Sequence, residues 1–104
     1  MTRLSGDILH VLVPGTTHLI ERNGAEAAVY LATDGSGHMR LEDGEVRKGR
    51  WRLLDDGYAT EWDGGQTGDW VLERSGNGLH YVSRDGKVRL KMLGILFGDA
   101  RGLA

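Results

Sequence analysis

The chain contains no cysteine, which excludes disulfide staples, thiolate metal sites and a nucleophilic thiol in one step. Its fold must rest on packing alone. Long hydrophobic runs are also missing: the best candidate, Val88 to Phe97, is broken by Arg89, Lys91 and Gly94, well short of the roughly eighteen apolar residues that a membrane-spanning helix needs. No membrane span is expected. Asp7, His10 and Pro14 interrupt the one apolar patch near the N-terminus, so no secretory leader is read there, and the expected compartment is the cytoplasm, or the periplasm if a leader has been removed. An excess of one charge is lacking too. Thirteen Lys and Arg against fifteen Asp and Glu leave a formal charge of −2, scattered along the chain, whereas nucleic-acid binders draw affinity from a basic patch that neutralises phosphates. A nucleic-acid partner is not expected.

Glycine is what the chain has in excess, at 17 of 104 residues. Seven Asx-Gly pairs punctuate the sequence: Asn23-Gly24, Asp34-Gly35, Asp43-Gly44, Asp56-Gly57, Asp63-Gly64, Asn77-Gly78 and Asp85-Gly86. Each suits a two-residue type I′ turn or a slightly longer hairpin loop. Their recurrence at the spacing of one strand plus one turn predicts eight segments, near 16–22, 26–33, 38–42, 46–54, 58–63, 68–74, 78–84 and 87–93.

Alternation within these segments predicts which side chains share a face. Val88, Leu90 and Met92 oppose Lys87, Arg89 and Lys91, and Gly49, Trp51 and Leu53 oppose Lys48, Arg50 and Arg52. Tyr58, Thr60 and Trp62 form one set, and Gly68, Trp70 and Leu72 another. Three consecutive strands thus each send one indole inward. Eight antiparallel segments predict an all-β, up-and-down barrel, which leaves no exposed edge; a β-sandwich is the alternative. Ahead of the first strand, Ser5 reads as an N-cap, Asp7 as a first-turn acid, and Ile8, Leu9, Val11 and Leu12 as an apolar stripe. Pro14-Gly15 reads as a type II turn ending a short helix that plugs one end of the barrel. The tail from Gly94 to Ala104 either finishes the last strand or packs across the barrel mouth.

The motifs Gly49-Arg50-Trp51, Asp56-Gly57 and Trp62, with Leu4-Ser5-Gly6-Asp7 and Pro14-Gly15-Thr16-Thr17 upstream, resemble those of small bacterial β-barrel proteins of lipocalin-like or streptavidin-like shape. The resemblance spans residues 4 to 86. It implies a leading helix, an aromatic strand ending in Asp-Gly as Tyr30 to Gly35 does, and a Gly-x-Trp strand.

Trp51, Tyr58, Trp62 and Trp70 are the candidate ligand-binding residues, because rings that face one cavity stack on a flat ligand while their N–H and O–H groups orient it. The competing reading is a solid core. Three buried indoles are worth on the order of 11–19 kcal/mol as an upper bound, and a domain of this size needs that burial, so core filling comes first and a ligand-lined cavity second. His10, His18, His38 and His80 show no metal-ligand spacing; His38 and His80 lie within strands, most of the four read as surface or rim residues, and no metal or cofactor is assigned. Glu61 with Asp63, and Asp69 with Glu73, fall on faces opposite the tryptophans and read as solvated charge. No serine has a nucleophile-elbow context, and no catalytic residue is assigned. The run Arg47 to Arg52, with Lys87, Arg89 and Lys91, reads as an exposed face whose cations pair across strands with Glu42, Glu61 or Glu73.

Among functional readings, the leading expectation is a non-enzymatic module holding a small apolar or aromatic molecule, with Trp51, Trp62 and Trp70 as walls and Tyr58 as polar handle. A solid barrel forming a homodimer through its outer face or through the apolar segment Ile95 to Phe97 is the second. A barrel isomerase or cyclase is the third, to be promoted by a polar cavity that holds His80 with a carboxylate.

Overall fold

The computed structural model, which describes residues 2–104, shows eight antiparallel strands closed into an up-and-down barrel, joined by one two-residue strand and one short helix. In chain order the elements are β1 (Thr2–Arg3), α1 (Asp7–Leu12), β2 (Thr16–Arg22), β3 (Ala25–Leu31), β4 (Ser36–Arg40), β5 (Val46–Leu54), β6 (Gly57–Trp62), β7 (Thr67–Ser75), β8 (Gly78–Ser83) and β9 (Arg89–Phe97). Each barrel strand pairs with the next, and β9 returns to β2. That return closes one continuous sheet and rules out the sandwich. β1 occupies the stretch of β7 that β6 leaves uncovered, pairing at Thr2↔Arg74 and Arg3↔Glu73. Two residues carry no periodicity, which is why this strand has no sequence signature.

The Asx-Gly pairs divide by local chemistry. Only Asn23-Gly24 forms the two-residue type I′ turn, with φ of +51° and +78° between Arg22 and Ala25. At Asp34, Asp43 and Asp85 the loop is longer: the carboxylate accepts the N–H two residues on, at 2.8–2.9 Å, and the glycine N–H reaches back to Ala32, Leu41 or Ser83. An aspartate that bonds its own loop in this way does not need positive φ itself.

Register confirms the expected faces. Trp62 lies opposite Gly49, Thr60 opposite Trp51, and Tyr58 opposite both Leu53 and Trp70. The Gly-x-Trp strand has a packing reason: a Cβ on Gly49 would stand 2.1 Å from the Glu61 carbonyl oxygen, so any side chain there would force β5 and β6 apart. Alternation along β9 holds through Leu90, Met92 and the exposed Leu93, then a bulge between the pairings to Ile20 and Leu19 sets Gly94 opposite Leu19 and brings Ile95 to the inside.

The helix seals one end of the barrel. Leu9 and Val13 are fully buried and pack with Leu31, Tyr58, Leu72 and Tyr81, while Ile8 and Val11 stay exposed. The predicted cap is corrected: Gly6, at φ +61°, holds the N-cap position without a side-chain bond, so Ser5 does not cap. The tail is divided. Its first four residues finish β9, and the remainder runs along the outside of β2, where the Thr17 hydroxyl donates to Gly98 O at 2.7 Å and Leu103 buries against Leu19 and Ala28. It does not cover the mouth. Among the described residues no helix is long and apolar enough to cross a membrane.

Candidate functional site

The opposite end of the barrel is open. A cavity of ≈ 540 Å³ occupies the half of the interior away from α1, within the usual range for small-molecule sites. Its walls are mainly apolar, from Ile20, Val29, Met39, Val88 and Leu90, and its aromatic surface comes from Tyr58, Trp62, Trp70 and Tyr81. The interior is thus neither solid nor hollow throughout. Three of the four predicted ligand-binding residues, Tyr58, Trp62 and Trp70, meet at this cavity.

Trp51 stands apart. It points inward as its register requires, but lies toward the plugged end, where its indole N–H donates to Ala32 O at 2.8 Å; it packs against the core and does not line the cavity. Tyr81 takes its place. The Tyr81 ring sits 6.0 Å from Trp70 and 5.9 Å edge-on from Tyr58, forming the aromatic floor between cavity and core.

Beneath that floor lies His18, fully buried rather than at the surface or rim as expected. Its Nε2 contacts Leu12 O at 2.7 Å, and its Nδ1 contacts the Tyr81 hydroxyl. A carbonyl only accepts, so Nε2 carries the proton and Nδ1 accepts from Tyr81. Burial holds the imidazole neutral, with its pKa lowered to about 4 although the bond to Leu12 pulls the other way. Tyr58, also buried, has its phenol pKa raised by desolvation.

Polar groups on the cavity wall behave differently. Thr60 is 3% exposed, and its hydroxyl has no hydrogen-bond partner. A Cβ on Gly68 would lie 2.8 Å from that hydroxyl and 2.4 Å from Trp70 Nε1, so the missing side chain clears a space on which both groups converge. A buried hydroxyl such as that of Thr60 is rarely left unpaired. The ring nitrogens His38 Nδ1 and His80 Nδ1, away from the cavity, are the other buried side-chain polar atoms without a partner among the described residues.

No family model matches this chain, and neither do any curated proteins or solved structures. Its own geometry is the guide.

That geometry also places the other candidates. His80 points outward, between Glu73 and Lys91 on the neighbouring strands, and no Asp, Glu or His lines the cavity, so the condition set for an isomerase or cyclase is not met. His38 stacks on Tyr30 on the outer face at 6.0 Å. Among the described residues no three His, Asp or Glu side chains cluster as a metal site. In the segment meant for a dimer contact, Ile95 packs into the core while Phe97 is 75% exposed.

The basic run divides as well. Lys48, Arg50 and Arg52 point out, but Arg47 falls on the inward face two residues before Gly49 and lines the mouth, as does Arg22 two residues beyond Ile20. Gln66 joins them. The signal was available in the sequence, since strict alternation extended one step past the apolar positions gives Arg22 and Arg47 the same facing as the core.

Proposed function

We propose that this protein is a non-catalytic binding module that takes one small, flat, largely apolar molecule into the open half of its barrel. Trp62 and Trp70 are the walls, Tyr81 is the floor, and Tyr58, Thr60 and Trp70 supply the polar contacts. The observation that carries this reading is the Thr60 hydroxyl, buried without a partner, beside the Trp70 indole N–H at the space above Gly68. A buried hydroxyl without a partner costs about 1–3 kcal/mol, which an acceptor on a bound ligand would recover. The resemblance to lipocalin-like and streptavidin-like barrels agrees with this reading.

Titration of N-phenyl-naphthylamine, a neutral flat dye, against tryptophan fluorescence tests it. The expected result is saturable energy transfer at one dye per chain, weakened at least tenfold in Gly68→Ala, whose methyl group displaces the indole edge. Saturation that is absent, or indifferent to Gly68→Ala, would remove the cavity as the site.

A further inference from the structure

The cavity carries charge of one sign only. Arg22 and Arg47 are the two ionised side chains in its lining, and both are there because their strands bring them round to the inward face at the mouth. Their carboxylate neighbours stand outside the lining. Glu42 lies 3.7 Å from Arg22, beyond hydrogen-bond length, and one of its oxygens is taken at 2.6 Å by the Asn23 amide. Glu45 meets Arg47 from outside through Nε at 3.3 Å and Nη2 at 3.5 Å, while the Arg47 Nη1 is turned to the Gln66 side-chain oxygen, itself on the cavity wall.

We infer that the preferred ligand is an amphiphile: a flat apolar body against Trp62 and Trp70, with an anionic oxyacid group, carboxylate or sulfonate, held between Arg22 and Arg47 at the mouth. This rests on the cavity being a binding site, as proposed above, and adds the ligand's charge and its orientation. A guanidinium offers five donors in a fixed plane and suits such a group better than an ammonium does. The apolar walls behind it shield one side of the pair, so an anion gains somewhat more here than on the open surface. A cationic ligand would meet two like charges and no acid in the lining. The basic residues of the outer faces do not share in this, since Lys48, Arg50 and Arg52 point away from the interior.

A matched pair of dyes separates the two readings. N-phenyl-naphthylamine and anilinonaphthalene sulfonate share one skeleton and differ by the anionic group. At low ionic strength the sulfonate should bind about tenfold more tightly. The double variant Arg22→Gln, Arg47→Gln should bring the two dyes within about twofold of each other, while Arg50→Gln with Arg52→Gln keeps the preference. Binding of the neutral dye to each variant reports that the cavity is still formed, so a loss of folding cannot be mistaken for a loss of selectivity. Equal affinity of both dyes for the unaltered protein would overturn the anionic preference and leave the cavity reading standing. A preference that survives in the Arg22/Arg47 variant would overturn it too, by placing the sulfonate elsewhere. If neither dye binds, both readings fall together.

Discussion

The two halves of the barrel interior are built from the same kinds of residue and treat them in opposite ways. Toward α1, polar atoms are satisfied: His18 uses both ring nitrogens, Thr16 bonds Val13 O at 2.7 Å, and Trp51 bonds Ala32 O at 2.8 Å. Toward the mouth, the Thr60 hydroxyl is buried with nothing to meet, and Trp70 and Tyr58 line the cavity beside it. The contrast is sharpest between two tyrosines whose rings are 5.9 Å apart, one bonded to His18 and the other unbonded. Aromatic content therefore does not distinguish core from site in a small barrel. The state of the polar atoms on those rings does.

If the halves are independent in this sense, damage to the plug should cost stability and spare binding. Leu9→Ala empties a fully buried position and is expected to cost about 2–5 kcal/mol, read as a lower urea midpoint, while dye affinity of the folded fraction stays within about twofold. A parallel loss of affinity would show that the plug shapes the cavity. The next largest effect is acid sensitivity. In the unfolded chain His18 takes up a proton near pH 6.5, whereas in the fold burial postpones that to about pH 4. Between these values the unfolded state binds more protons, so stability falls as pH falls, by roughly 3 kcal/mol across the window, and is flat above it. Asp34, Asp56, Asp85 and Asp99 have carboxyls held below their ordinary range, so their contributions are lost only under more acid conditions. Urea midpoints measured from pH 7 to pH 4 should slope steeply for the unaltered chain and less for His18→Gln; equal slopes would remove His18 as the cause.

The sequence made the barrel legible because two independent signals agreed, alternation and the Asx-Gly pairs, five of which put their glycine in the turn at positive φ while Gly57 and Gly78 open β6 and β8. Trp62 and Trp70 could be placed by counting from Gly68 and Tyr58. What could not be read was depth along the barrel axis: alternation gives the inward direction of Trp51 without saying that it lies level with the β3–β4 turn carbonyl that fixes its N–H. His18 was hidden for a related reason, since an imidazole on a strand looks the same whether its partners are solvent or the last helical carbonyl and a tyrosine sixty-three residues away. Arg22 and Arg47 carry no apolar signal, although alternation gives both the inward face. Near the mouth of a barrel, an inward position is also a wet one.

The smallest effect is the most discriminating, because its two parts have opposite signs. Thr60→Val keeps the shape of the side chain and removes a hydroxyl that the folded chain leaves unbonded. In a structural role that change would expose a lost hydrogen bond as a loss of about 1 kcal/mol; here there is no bond to lose, and stability should hold or rise by up to about 1 kcal/mol. Binding should move the other way. A naphthyl ketone, whose carbonyl oxygen accepts from Thr60 and Trp70, should weaken about three- to tenfold in the variant, while N-phenyl-naphthylamine, which has no acceptor oxygen, should be unaffected. A hydroxyl that lowers stability yet improves recognition of one functional group is kept for the ligand, and a variant that is destabilised while both probes bind as before would make Thr60 part of the core after all.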